Sequence, residues 1–298
     1  MWDRRGMSNA NAANGSSAGP TGESGSLQRP DGTRIAWRYV PAVGAAPKAL
    51  VVVSHGVAEH VGRYAHVIAH LAAAGYAVIA GDHRGHGDSS GKRVFVNRFR
   101  EYTDDLQAVV EVGKAKSGAK KVALLGHSMG GLIAVGHLLD HPGAVDLAVL
   151  SSPGLGIAVA VPKWKDALGR LMSKVWPSLS IPTGIGPELV SRDAAVVQAY
   201  ASDPKVTKTA TARWYTEFLD AQVRAFAEAK RVTLPVVVLT AGKDGLVSPA
   251  AQERWFQAIG SSDKTLIPYP ELFHEIMNEP EQKVVLGDIV RWLDRHTG

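Results

Sequence analysis

Along most of this chain, short apolar runs alternate with longer amphipathic ones. Residues 49–53, 77–80, 122–125, 147–150, 236–239 and 265–267 are runs dominated by Val, Leu, Ile and Ala. Runs of this length without a polar alternate predict strands buried on both faces. Residues 66–74, 102–116, 129–139, 252–258 and 283–295 carry apolar positions at helical spacing, and Gly75 stops the first of them. Strands and helices in alternation predict a parallel sheet covered by helices on both sides.

The rhythm fails in two places. Residues 1–26 are rich in Asn, Ala, Gly, Ser and Pro and predict a disordered tail. Residues 153–232 are rich in Trp, Lys, Pro and Gly, lack strand runs, and are too long for a loop. They are expected to form a helical cap inserted in a core of residues 27–152 and 233–298. Inside the cap, Trp164, Leu168, Leu171, Met172 and Val175 share one helical face between Pro162 and Trp176, with Lys and Arg on the rest. Such a helix either lies in a membrane interface or packs its apolar face on the cap and an acyl tunnel. Both readings stay open on the sequence.

Composition narrows the function classes. The 298 residues include no cysteine, which excludes disulfides, thiol nucleophiles and thiolate metal sites. The formal charge of +5 is spread out, with no basic run interleaved with aromatics, so no nucleic-acid interface is expected. Arg4-Arg5 is not followed by an apolar stretch, and no window of eighteen apolar residues exists. Neither a secretory leader nor a membrane span is expected, and the location expected is cytoplasmic.

Gly126-His127-Ser128-Met129-Gly130 fits G-x-S-x-G and lies between a predicted strand and a predicted helix. A sharp strand-to-helix turn lifts the serine hydroxyl clear of the sheet, and flanking glycines remove Cβ atoms that would clash there. The helix N-terminus then faces developing negative charge. Ser128 is therefore the expected nucleophile of an α/β-hydrolase fold. In that fold the acid and then the base follow along the chain. Of eleven histidines only His274 and His296 follow the cap. His296 ends the last helix, whereas His274 sits in a loop after a strand and is the expected base. Asp244 lies beyond the preceding strand and is the expected acid. Asp263 precedes its strand, and Glu271 and Glu275 are too close to His274 to orient it from a neighbouring loop. The oxyanion donors expected are the N–H groups of Met129 and of Val57, in the loop His55-Gly56-Val57-Ala58-Glu59-His60.

Taken together, His55 to His60 with Arg63-Tyr64, Asp82-His83-Arg84-Gly85-His86-Gly87-Asp88-Ser89 with Gly91-Lys92, and Gly126 to Gly131 resemble the monoacylglycerol lipase (monoglyceride lipase, lysophospholipase-like) branch of the α/β hydrolases. Ser191-Arg192-Asp193 and Tyr200-Ala201-Ser202-Asp203-Pro204 resemble it too, so the likeness runs from about residue 27 to the end. It implies an eight-strand, mostly parallel sheet with a helical cap, and hydrolysis of a monoacylglycerol through an acyl-enzyme on Ser128. It also implies that Glu59 and Arg63 brace the oxyanion loop. Two positions depart from the pattern: Ala58 stands where the family often has Gly, and Met277 where animal members carry a second histidine near the alcohol.

The expected partner is a lipid ester, with peripheral membrane association through the cap as an open reading. A lysophospholipase or general carboxylesterase is the alternative, and a dead hydrolase serving as a binding protein is the reading from another class. No cofactor and no metal are expected: the pairs His83/His86 and His137/His141 lack an H-E-x-x-H pattern, and no dinucleotide or Walker motif is present.

Overall fold

The computed structural model describes residues 22–44, 46–158 and 161–298. Two N-terminal strands, β1 (Glu23–Gln28) and β2 (Arg34–Val40), precede β3 (Leu50–Ser54), α1 (Ala65–Ala73), β4 (Ala77–Gly81) and α2 (Arg100–Ser117). Next come β5 (Val122–His127), α3 (Met129–Asp140) and β6 (Leu147–Ser151). The insertion holds α4 (Lys163–Val175), β7 (Ser180–Pro182), α5 (Ala194–Ser202), β8 (Thr209–Thr211) and α6 (Ala212–Ala227). The chain ends with β9 (Val236–Ala241), α7 (Pro249–Ala258), β10 (Lys264–Tyr269) and α8 (Gln282–Thr297).

Eight strands form one sheet in the order β1-β2-β4-β3-β5-β6-β9-β10. The six from β4 to β10 pair in parallel, and β1 and β2 are antiparallel additions at one edge. The sheet is covered on both sides, and the strand residues divide between the two layers. Leu50 and Val52 of β3 enter the core with α2, α3 and α7, while Val51 and Val53 enter the core with α1 and α8. This side-to-side alternation within an all-apolar run is why the strands show no polar period. α3 is apolar almost all round and correspondingly buried from Met129 to Val135.

The tail expected over residues 1–26 does not hold for residues 23–26, which belong to β1; residues 1–21 lie outside the described ones. The sequence Glu-Ser-Gly-Ser-Leu-Gln is polar since β1 is an edge strand held by its ladder to β2, with Gly25 under the Trp37 ring. Hydropathy cannot register a strand that buries so little. Among its described residues the segment between β6 and β9 adds no strand to the main sheet, but β7 and β8 pair as a small antiparallel sheet of their own. Among the described residues no helix is long and apolar enough to cross a membrane.

Candidate active site

β5 ends in the turn that carries Ser128, whose φ of 56° and ψ of −121° are unusual for any residue but glycine. The turn closes only because its flanks lack side chains. A Cβ on Gly126 would lie 2.5 Å from the Gly130 carbonyl oxygen, and one on Gly130 would lie 2.1 Å from that of Ser54. The second contact also packs the start of α3 against the loop after β3. Gly56 of that loop presses on Ser128, its Cβ position being 3.3 Å from Ser128 Cβ. Val57 and Met129 line the same cavity as Ser128, and the Val57 amide donates to no protein acceptor among the described residues.

The carboxyl ends of β9 and β10 supply the other expected residues. His274 Nε2 lies 2.9 Å from Ser128 Oγ, and His274 Nδ1 lies 2.7 Å from Asp244 Oδ2. The other Asp244 oxygen accepts the backbone N–H groups of Leu246 and Val247 at 2.9 Å each. The carboxylate is thus fixed by its own loop and presents one oxygen to the imidazole. Burial disfavours the His274 cation, but the charge of Asp244, its hydrogen bond, and the charges of Glu275 and Glu59 outweigh this and raise the pKa above the ordinary value. His127, packed 4.9 Å from the His274 ring, is driven the other way: burial and the neighbouring imidazole lower it to about 3, so it stays neutral.

A set of ion pairs joins the loop after β3 to the His274 loop. Glu59 accepts from Gly56 N at 2.6 Å and from the Tyr64 hydroxyl at 2.7 Å. Arg63 donates to Glu59 at 2.5 Å and bidentately to Glu275 at 2.7 and 2.6 Å. Burial opposes ionisation of Glu59, yet the Arg63 charge and these hydrogen bonds hold its pKa below the usual range. One guanidinium therefore ties the two loops together. The sequence offered no sign of Glu275 in this role, because its partner lies 212 positions away. Ala58 adopts a φ of 63°, the left-handed conformation that explains a glycine preference there. Met277 is buried in the core beside α1 and α8 and does not line the cavity.

The cavity measures about 540 Å³. Met129, Trp214 and Phe218 form an apolar part: the indole N–H of Trp214 donates to Met129 Sδ at 3.3 Å, and its ring stacks on Phe218 at 5.0 Å. Glu59, Tyr200 and Glu275 form a polar part. The histidine pairs set aside above have other partners. His137 bonds Gln107 and His141 bonds Asp104, while His83 and His86 pack, tilted or edge-on, in a buried group with His55 and Tyr102.

A family model described as Hydrolase_4, serine aminopeptidase S33, matches residues 45–281. A monoacylglycerol lipase of Mycolicibacterium smegmatis is 36% identical over 251 residues, which is 84% of this chain and 89% of that protein. The chain belongs to the monoacylglycerol lipase branch of the Hydrolase_4 family. Another relative, phospholipase YtpA of Bacillus subtilis, is 33% identical over 84% of this chain and 96% of its own length. The crystal structure of a Paleococcus ferrophilus monoacylglycerol lipase matches with a TM-score of 0.81 at 31% identity, covering 88% of this chain and 99% of that one. Membership in this branch accords with the α/β-hydrolase sheet and with the elbow at Ser128.

Proposed function

We propose that the chain is a serine ester hydrolase that cleaves monoacylglycerols to glycerol and fatty acid, with Ser128 as nucleophile, His274 as base and Asp244 as orienting acid. The observation that carries this reading is the hydrogen-bonded series from Ser128 Oγ through His274 to Asp244, at 2.9 and 2.7 Å, opening on a lipid-sized cavity. Ser128 Oγ attacks the ester carbonyl while His274 Nε2 takes its proton. The Val57 and Met129 N–H groups hold the oxyanion. His274 then returns the proton to the departing alcohol oxygen, and next activates water to release the acid from Ser128. The apolar part of the cavity takes the acyl chain.

The names of the relatives support the monoacylglycerol as substrate, and the cavity volume suits one chain with a small alcohol. Purified protein should hydrolyse a monoacylglycerol faster than the di- and triacylglycerol of the same acid; comparable turnover of emulsified triacylglycerol would refute this. The name of the Bacillus relative supports a phospholipid ester as second substrate class, and including a phospholipid and a lysophospholipid in the panel separates the two.

The membrane-interface reading of the α4 helix also gains support. Trp164, Leu168, Leu171, Val175 and Trp176 are 65, 48, 52, 71 and 58% exposed, so the apolar face points to solvent. The residues that bury the helix are small: Gly169 faces Tyr215, and Ser173 Oγ bonds Thr216 at 2.8 Å. An exposed apolar arc flanked by Lys163, Lys165, Arg170 and Lys174 suits loose contact with an anionic lipid surface. α4 would then act as a lid that passes lipid to the cavity.

A further inference from the structure

The cavity around Ser128 is electrically uneven. At its polar part Glu59 and Glu275 are 3 and 4% exposed, and both are held by the single guanidinium of Arg63. Two carboxylates around one cation leave a negative charge uncompensated. Asp244, behind His274, adds another while the imidazole is neutral. Arg63 lies behind the two carboxylates and does not itself line the cavity; apart from the histidines, the basic residue lining it among the described residues is Lys165 of α4, whose Nζ is 5.5 Å from the Trp164 ring.

Tyr200 completes this part. It is 6% exposed, lies 4.7 Å from Arg63 ring to guanidinium, and its hydroxyl bonds no described residue. Burial and the nearby Glu59 and Glu275 charges keep the phenol protonated. An unpartnered O–H donor on the cavity wall is suited to a hydroxyl or ether oxygen of a ligand. The apolar part is unsuited to a polyol, so the alcohol half of an ester belongs here. His274, which must protonate the departing oxygen, lines the same cavity as Glu275.

We propose that the net negative charge of this polar part, set by Glu275, makes the site selective for esters of uncharged or cationic alcohols and against phosphate-bearing ones. The proposal rests on the reading of Ser128 as the nucleophile of an ester hydrolase. Like charges about 6 Å apart at an effective dielectric of about 20 discriminate by about a hundredfold. A lysophospholipid without a compensating cation is disfavoured by the same repulsion.

The test uses esters of one short fatty acid with choline and with 3,3-dimethylbutanol, which share a shape and differ in charge, and a monoacylglycerol with its 3-phosphate. For the wild type, kcat/KM for the choline ester should equal or exceed that for the neutral isostere. The phosphate should be cleaved at least tenfold less efficiently than its monoacylglycerol. Glu275→Gln should shrink both ratios about tenfold, whereas Glu275→Asp, which keeps the charge, should preserve them. A wild type that prefers the phosphate or the neutral isostere overturns the proposal without reference to any variant. Ratios unmoved in Glu275→Gln overturn the role of Glu275. If no neutral ester is cleaved at all, the hydrolase reading itself falls, which is a separate outcome.

Discussion

Ser128 occupies a backbone conformation that glycine adopts freely and other residues adopt at a cost of about 1–3 kcal/mol. Ser128→Gly should therefore unfold at higher denaturant than Ser128→Ala, by about 1 kcal/mol, since only glycine relieves the strain. Equal stabilities would mean the turn is not strained. His274 makes a different prediction. Its raised pKa means that the neutral base is lost at a higher pH than for an ordinary imidazole, so the acidic limb of kcat/KM should lie above about 6.5. Glu275 is one of the charges that raise it, so Glu275→Gln should shift that limb to lower pH; a shift upward would contradict the account.

At the scale of elements, the buried strands were legible because both their faces meet apolar layers. β1 and β2 were not: β1 is an edge strand held by backbone pairing that polar residues provide equally well, and β2, paired on both sides, fully buries only Ile35 and Val40. α4 was legible as a helix but not in its orientation. Spacing identifies an apolar face without telling what covers it, and here the covered side is the one with Gly169 and Ser173. The ties from the insertion to the core are concentrated elsewhere: His60 meets Asp203 at 2.8 Å, Thr207 N donates to the Ala58 carbonyl at 2.8 Å, and Ser191 bonds the Asn278 carbonyl at 3.0 Å. α4 is held mainly through α6, by Ser173 with Thr216 and by Asp166 with Tyr215. Replacing Trp164 and Leu168 by Ser should lower hydrolysis of a long-chain monoacylglycerol in vesicles at least tenfold more than hydrolysis of a soluble short-chain ester. High salt should narrow the gap. Equal losses on both substrates would remove the lid from the account.

Across the whole molecule, the site is assembled from loops at the carboxyl ends of β3, β5, β9 and β10. The order of motifs along the chain singled out Ser128, Asp244 and His274, because the fold fixes which strand each follows, and the structure brings the three within hydrogen-bond distance in series. The pairing of Arg63 with Glu275 was not readable, since it depends on how two loops meet above the sheet. That pairing is bidentate, and its carboxylates are buried. Arg63→Ala leaves two buried carboxylates without their cation and should cost about 3–5 kcal/mol in stability by denaturant unfolding. Arg63→Lys should recover only part of this, because an ammonium cannot bridge Glu59 while holding both oxygens of Glu275. Full recovery by lysine would show that charge alone suffices.

The reaction assigned to this assembly depends on one oxygen atom. Release of fatty acid from a monoacylglycerol, compared between the wild type and a folded Ser128→Ala protein, tests that assignment most directly. Loss of activity by about four orders of magnitude or more is the predicted result, with His274→Ala similar and Asp244→Asn somewhat milder. A Ser128→Ala protein that still releases fatty acid within about a hundredfold of the wild-type rate would contradict the account.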